Sequence, residues 1–139
     1  MIFEDGLRFT EQHLWVKKFG LTDYAERAMA GREVYVGITA LFKNKLTEDR
    51  MWYVRVGKKI SRGQSAGIIY SQNMHMDIIM PLSGTILQAN MDFLKPPFWS
   101  NTITEKNWIM IIDIDRPGEW NELLVPAEYE KHFNGLSVK

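Results

Sequence analysis

The chain has 139 residues, of which 45% are hydrophobic and 24% charged, a composition typical of one folded domain. Its 17 basic and 17 acidic residues balance, so composition gives no reason to expect binding to nucleic acid or to an anionic membrane. The absence of cysteine excludes disulfides, thiolate metal sites and cysteine nucleophiles. No apolar stretch is long enough to span a bilayer, and acidic Glu4 and Asp5 stand where a signal peptide would carry basic residues. We therefore expect a cytoplasmic protein.

Short strands separated by turns dominate the predicted secondary structure. Runs of β-branched and aromatic residues favour strands, and the glycine- and proline-containing stretches between them favour turns. Many short strands at this spacing predict a sandwich or barrel, and no boundary divides residues 1–139 into separate domains. The predicted strands are Val34–Thr39, Met51–Val56, Ala66–Tyr70, Asp77–Met80, Thr85–Ala89 and Trp108–Asp115.

Two segments favour helices instead. Asp23–Ala30 is rich in helix formers, opens with an Asp-x-x-Glu cap and stops at Gly31. Near the C-terminus, apolar residues recur at helical spacing, which predicts a second helix. Those residues are Trp120, Leu123 and Leu124 on one face, then Tyr129 and Phe133.

The segment Phe93–Trp99 contains two prolines and three aromatic residues, which predicts an ordered loop without regular structure. We expect its aromatic side chains to cover one end of the sandwich. Exposed together, they would instead form a hydrophobic patch suited to a partner.

Four collinear stretches resemble the H protein of the glycine cleavage system. Val36–Thr39 is identical to the family's Val-Gly-Ile-Thr, and Phe9–Val16 is similar to its aromatic-Thr-x-Glu-His-Glu-Trp-Val opening. Ser71–Gly84 is similar to Ser-Val-Lys-Ala-x-Ser-Asp-x-x-x-Pro-x-Ser-Gly, and Trp108–Tyr129 is similar to the closing strand and helix. The resemblance implies a mainly β barrel-sandwich hybrid, with Thr22–Gly31 as an inserted N-terminal helix and with a C-terminal helix. It also implies a carrier-like or binding protein rather than an enzyme.

The lipoyl attachment site of that family departs from its pattern here. In H proteins a lysine at the tip of a hairpin carries a lipoyl group, which moves an aminomethyl unit between enzymes. Counting back without a gap from Pro81–Gly84, Asn73 falls on this lysine, and an amide side chain cannot be lipoylated. No lysine occurs between Lys59 and Lys95, and the family's acidic residue beside the cargo is Leu14. The resemblance therefore implies that no lipoyl cofactor is bound.

We expect a non-lipoylated relative that binds a protein partner, as an adaptor or regulator of lipoyl-dependent enzymes. The partner would be a lipoyl-handling enzyme or a lipoylated H protein. One alternative is a genuine lipoyl carrier that is modified at another lysine. The predicted contact surface consists of Ser71, Asn73, Met74, His75, Met76, Asp77 and Leu14.

A second alternative is metal or small-molecule binding at the Met74–Met76 segment, since thioether and imidazole groups suit Cu(I). Adjacent strand residues point to opposite faces and do not easily converge on one ion, so we expect no metal. We expect His13 to be structural, and His132 to lie in the last turn of the C-terminal helix. No nucleophile elbow, phosphate loop or His-x-x-x-His motif indicates a catalytic centre.

Overall fold

The computed structural model describes residues 6–18, 33–39, 50–71, 74–90 and 108–131. The predicted helix at Thr22–Gly31 and the aromatic segment Phe93–Trp99 lie outside these residues. Within the described ranges the chain forms nine strands, followed by a 3-10 helix at Pro117–Glu122 and an α-helix, α1, at Pro126–Tyr129. The strands are β1 (Leu7–Phe9), β2 (Leu14–Lys18), β3 (Glu33–Ile38), β4 (Arg50–Val54), β5 (Lys59–Ile60), β6 (Ser65–Ser71), β7 (Met74–Ile79), β8 (Gly84–Ala89) and β9 (Met110–Ile114).

Two antiparallel sheets enclose the core. The first has six strands in the order β1-β2-β3-β9-β8-β5, and the second has three in the order β4-β6-β7. Both contribute to one hydrophobic cluster, for example Val36 and Ile112 from the first sheet and Ile69 and Ile78 from the second. Buried and exposed positions alternate along β7, whereas consecutive residues of β2 and β9 are buried, which places apolar contacts on both faces of those strands. The predicted mainly β, sandwich-like architecture is confirmed.

The six predicted strands all form, with bounds shifted by at most three residues. The largest shift is in β7, which begins at Met74 instead of Asp77. It begins earlier because Ser71 already pairs with Met74 across the β6–β7 hairpin.

The contact between β2 and β3 explains part of the Val-Gly-Ile-Thr motif. Trp15 on β2 pairs with Gly37 on β3, and a Cβ atom at Gly37 would overlap the indole ring of Trp15. The Trp15 side chain is buried in a second cluster with Leu7, Phe9 and Tyr129. Glycine at position 37 therefore makes room for a buried tryptophan.

The C-terminal segment differs from the predicted single helical face. Trp120 is buried within the 3-10 helix, but Leu123 is extended, with φ −78° and ψ 154°. Leu124 then pairs with Phe9, each N–H donating to the other carbonyl at 2.9 Å. Trp120, Leu123 and Leu124 thus do not share a helical face, because the pairing with β1 draws the chain into extended structure. Among the described residues, no helix combines the length and apolar character needed to cross a bilayer.

Candidate functional site

The β6–β7 hairpin contains most of the predicted contact residues. Its strands pair in register from Ile68↔Asp77 to Ser71↔Met74, and the one irregularity in the pairing lies between Ser65 and Gly67. The backbone of Ser71 and Met74 is described, whereas Asn73 lies outside the described residues.

Alternation along β7 separates the predicted contact residues into two faces. His75 and Asp77 are exposed on the outer face, where His75 lies opposite Tyr70 with ring centroids 6.2 Å apart. Met76 instead packs against the main core, opposite Ile69. His75 and Met76 therefore point away from each other, and this geometry argues against their sharing one metal ion. Across the described chain, no three His, Asp or Glu side chains come together as metal ligands.

Leu14 does not belong to the surface where the sequence placed it. Its side chain is 0% exposed within the main core, and its N–H donates to Thr10 Oγ1 at 3.2 Å. The adjacent Trp15 is also buried. A partner cannot contact a side chain with no exposed surface, so Leu14 is removed from the predicted contact set.

A cleft of about 430 Å³ opens at the base of the hairpin, at the end of β7 opposite to Met74. Glu11 and Gln12 line one side, and Arg62 and Glu122 contribute an ion pair with an N···O distance of 2.9 Å. Its apolar lining consists of Phe9, Ile79, Met80, Pro81, Leu123 and Leu124. The cleft could hold a ligand with polar and apolar parts. Sequence analysis missed it because Arg62 and Glu122 are far apart along the chain.

The turn beside this cleft contains the Pro-x-Ser-Gly motif of Pro81–Gly84. Ser83 donates to the carboxylate of Glu119 twice, from its N–H at 2.7 Å and from its Oγ at 3.0 Å. Ser83 Oγ also accepts the N–H of Arg62 at 2.9 Å. The motif serine therefore links the turn after β7 to the 3-10 helix and fixes the base of the hairpin.

A hydrogen-bonded chain joins His13 to α1. His13 has a left-handed φ of 69°, and its Nδ1 lies 3.0 Å from Tyr129 Oη. Tyr129 Oη donates to Thr39 Oγ1 at 3.0 Å. Burial raises the pKa of the Tyr129 phenol above 10.0, an effect partly opposed by the hydrogen bond to Thr39. These contacts support the structural role predicted for His13, whereas His132 lies outside the described residues.

The chain is similar in sequence to proteins described as glycine cleavage system H proteins, from bacteria and from a plant. It is 28% identical over 134 residues to the glycine cleavage system H protein of Koribacter versatilis (strain Ellin345), covering 94% of each chain. It is 29% identical over 135 residues to the mitochondrial glycine cleavage system H protein of Oryza sativa subsp. indica, covering 92% of this chain and 73% of that protein.

The fold is similar to a crystal structure of a glycine cleavage system H protein from Mycobacterium marinum. The TM-score is 0.70 at 26% sequence identity, and the match covers 96% of this chain and 99% of the other. This similarity agrees with the predicted barrel-sandwich hybrid. The family model described as Glycine cleavage H-protein matches residues 7–135. The prediction of a carrier-like or binding protein rather than an enzyme agrees with this match, and the chain therefore belongs to the glycine cleavage H-protein family.

Proposed function

We propose that this protein is a non-lipoylated member of the H-protein family that acts by binding a protein partner. The observation that carries the proposal is a family scaffold whose hairpin contains no lysine: Lys59 and Lys95 are consecutive lysines in the sequence, and β6 and β7 lie between them. The partner is a lipoyl-handling enzyme or a lipoylated H protein, and this protein acts as its adaptor or regulator.

The regularity of β7 supports the alignment of Asn73 with the family lysine. The β6–β7 pairing has no bulge from Gly67 to Ser71 on one strand or from Met74 to Ile78 on the other. A gap within this part of β7 would shift its side chains to the opposite face of the sheet. The ungapped count back from Pro81–Gly84 therefore agrees with the strand geometry, and the residue at that position has no amine to form an amide with lipoate.

The exposed lysines near the second sheet are poorly placed to carry a lipoyl group in place of the family's hairpin lysine. Lys58 and Lys59 follow β4, and Arg55 in the same turn donates its N–H to Ala66 near the start of β6. Ser71 is five residues further along β6, a distance of roughly 17 Å at the usual rise of a strand. The Nζ atom of Lys59 also lies 3.4 Å from Oδ2 of Asp115, with which it forms an ion pair. A lipoyl group on either lysine would start from the opposite end of the sheet.

The outer face of the hairpin is the contact surface we infer. It presents Tyr70, which is 52% exposed, together with exposed His75 and Asp77. An exposed aromatic ring beside groups that form hydrogen bonds is typical of protein interfaces, where tyrosine is enriched. The surface retains two predicted contact residues, His75 and Asp77, and adds Tyr70.

Intact mass tests the missing cofactor directly. The chain would be co-expressed with a lipoate ligase, next to an Asn73→Lys variant as the positive control. We expect the variant to gain the mass of one lipoyl group and the natural sequence to remain unmodified. A lipoyl group on the natural sequence would overturn the proposal and favour the alternative, a carrier modified at another lysine, which peptide mapping would identify.

Partner binding needs a separate measurement. Purified lipoyl-handling enzymes and a lipoylated H protein would be titrated against the natural chain and against Tyr70→Ser and Asp77→Lys variants. We expect binding to at least one of them, weakened about ten-fold by either substitution, a loss typical of an interface hot spot. Lys131→Glu changes an exposed residue of the C-terminal region and serves as the control. Failure of all these proteins to bind would contradict the adaptor role.

A further inference from the structure

An apolar groove lies beside β4, on a part of the molecule that the proposed function does not use. It has a volume of about 320 Å³ and lies close to Ala89 at the end of β8. Tyr53 is 60% exposed and Val56 50% exposed, so two of its lining side chains face solvent. Its lining residues are Trp52, Tyr53, Val54, Val56 and Ala89.

The size of the groove limits what it can hold. Ligand pockets span about 300–1,000 Å³, so this volume suits one or two apolar side chains better than a large cofactor. Exposed apolar side chains next to a concave apolar surface are typical of a protein-binding site.

Two exposed basic residues, Arg55 and Lys58, adjoin this groove along the chain. Residues 50–71 contain five basic residues and no acidic residue. Arg55 and Lys58 are exposed in the turn that contains Val56, which is closed by the Lys58 N–H donating to the Arg55 carbonyl at 3.1 Å. Lys59 and Arg62 instead form ion pairs, Lys59 with Asp115 at an N···O distance of 3.4 Å and Arg62 with Glu122 at 2.9 Å. The groove thus has an apolar lining, and Arg55 and Lys58 in the turn that contains Val56 form its basic rim.

Acidic residues are concentrated elsewhere in the chain. Residues 113–130 contain six acidic residues and one basic residue, Arg116. The zero net charge of the whole protein therefore conceals a cationic segment and an anionic one. A local field of this kind attracts partners of opposite charge even when the net charge is zero.

We propose that the groove beside β4 binds an acidic protein segment that carries an apolar anchor residue. The anchor packs between Tyr53 and Val56, and carboxylates of the segment pair with Arg55 and Lys58. The site lies at the end of β6 opposite to the β6–β7 hairpin tip, so it does not depend on whether the protein is lipoylated.

Amide chemical-shift titration of the full chain tests this proposal. The probe is a synthetic peptide in which a Leu-Trp pair is flanked on both sides by glutamates. A second peptide, with lysine in place of glutamate, controls for the apolar anchor alone. We expect saturable shifts at residues 52–58 and at Ala89 with the acidic peptide only.

Matched variants separate charge from packing. Arg55→Glu and Lys131→Glu alter net charge equally, but only Arg55 lies between two lining residues of the groove, Val54 and Val56. We expect Arg55→Glu to weaken binding of the acidic peptide about five-fold. The substitution removes a favourable charge pair and adds a repulsion between two negative charges. Tyr53→Ser removes an exposed, uncharged side chain, so it should weaken binding without changing the salt dependence. Thermal unfolding verifies that each variant is folded.

Three results would overturn the inference. The first is the absence of saturable shifts at the groove. The second is equal weakening by Arg55→Glu and Lys131→Glu, which would indicate a non-local charge effect. The third is tighter binding of a thymidine oligonucleotide than of the acidic peptide, which would assign the exposed tyrosine and basic rim to single-stranded nucleic acid.

Discussion

The β2–β3 pair and the β6–β7 hairpin match the H-protein family in different ways. At the first, Trp15 and Gly37 are part of a buried contact in which one residue leaves space for the other. At the second, His75 and Asp77 are exposed, and their side chains are not held by the core. Buried residues in tight contact are constrained by packing, so their identity indicates the fold. Exposed residues can be substituted without unfolding the protein. A chain can therefore keep the family scaffold and still change the chemistry of its hairpin.

Gly37→Ala should produce the largest loss of stability. The added methyl group would overlap the Trp15 indole in a buried contact, so the ring or the β3 backbone must move. We expect the free energy of unfolding to fall by about 2–4 kcal/mol, as for overpacked core positions. Denaturant titration followed by tryptophan fluorescence measures the change.

Gly118→Ala is the matched control for this substitution. Gly118 lies in the 3-10 helix, and a Cβ atom there would have no neighbouring atom within 4 Å. We expect a change within about 0.5 kcal/mol, typical of an unconstrained surface position. Equal effects of the two substitutions would contradict the packing explanation for Gly37.

Glu119→Ala should have an intermediate effect at the base of the hairpin. Its carboxylate accepts both hydrogen bonds from Ser83, so truncation leaves the Ser83 N–H without this partner. We expect a loss of about 1–3 kcal/mol, the usual cost of removing a hydrogen bond to a charged group. Thermal unfolding measures it.

Glu122→Ala is the control for Glu119, because its ion pair with Arg62 lies at the surface. We expect it to cost at most about 1 kcal/mol and to depend on salt, as surface ion pairs do. If the Glu122 substitution were the more damaging of the two, the assigned role of Ser83 as the link would be wrong.

Sequence pattern predicted the strands but not the contacts between distant segments. Hydrophobic alternation and β-branched residues correctly predicted six of the nine strands in the described residues. They could do so because a sheet with one buried face places an apolar residue at every second position. The predicted helical conformation of Leu123 and Leu124 was wrong. Their extended conformation is set by the pairing of Leu124 with Phe9, more than a hundred residues away. Local helical spacing contains no information about such a partner.

The candidate site was predictable in the same limited sense. The sequence identified the hairpin, since its motif is contiguous, but it could not decide the burial of Leu14. It also missed the cleft at Arg62 and Glu122, which the fold brings together although 60 residues separate them along the chain. Tyr53 and Val56 form a surface only because β4 and β8 lie close to each other. Each missed feature depends on tertiary structure.

Tyr129→Phe should have a smaller effect than either Gly37→Ala or Glu119→Ala. The substitution keeps the ring stacked on Phe9, with centroids 4.4 Å apart, and removes only the hydroxyl shared with Thr39 and His13. We expect the free energy of unfolding to fall by about 1–2 kcal/mol, because His13 and Thr39 lose the hydroxyl as a hydrogen-bond partner. Tyr70→Phe, at an exposed ring, should change the free energy of unfolding by less than about 0.5 kcal/mol.

The pH dependence of the Tyr129 contribution is the smallest and most specific test. Because burial raises the phenol's pKa above 10.0 in the folded protein, the folded state holds this proton more tightly than the unfolded state. The resulting stability is complete below the unfolded pKa of about 10 and is lost as the pH rises through the higher, folded pKa. The difference in unfolding free energy between the natural chain and Tyr129→Phe should therefore shrink from about pH 8 to about pH 11. A difference that grows with pH would require a Tyr129 phenol that ionises more easily when folded, in contradiction to its burial.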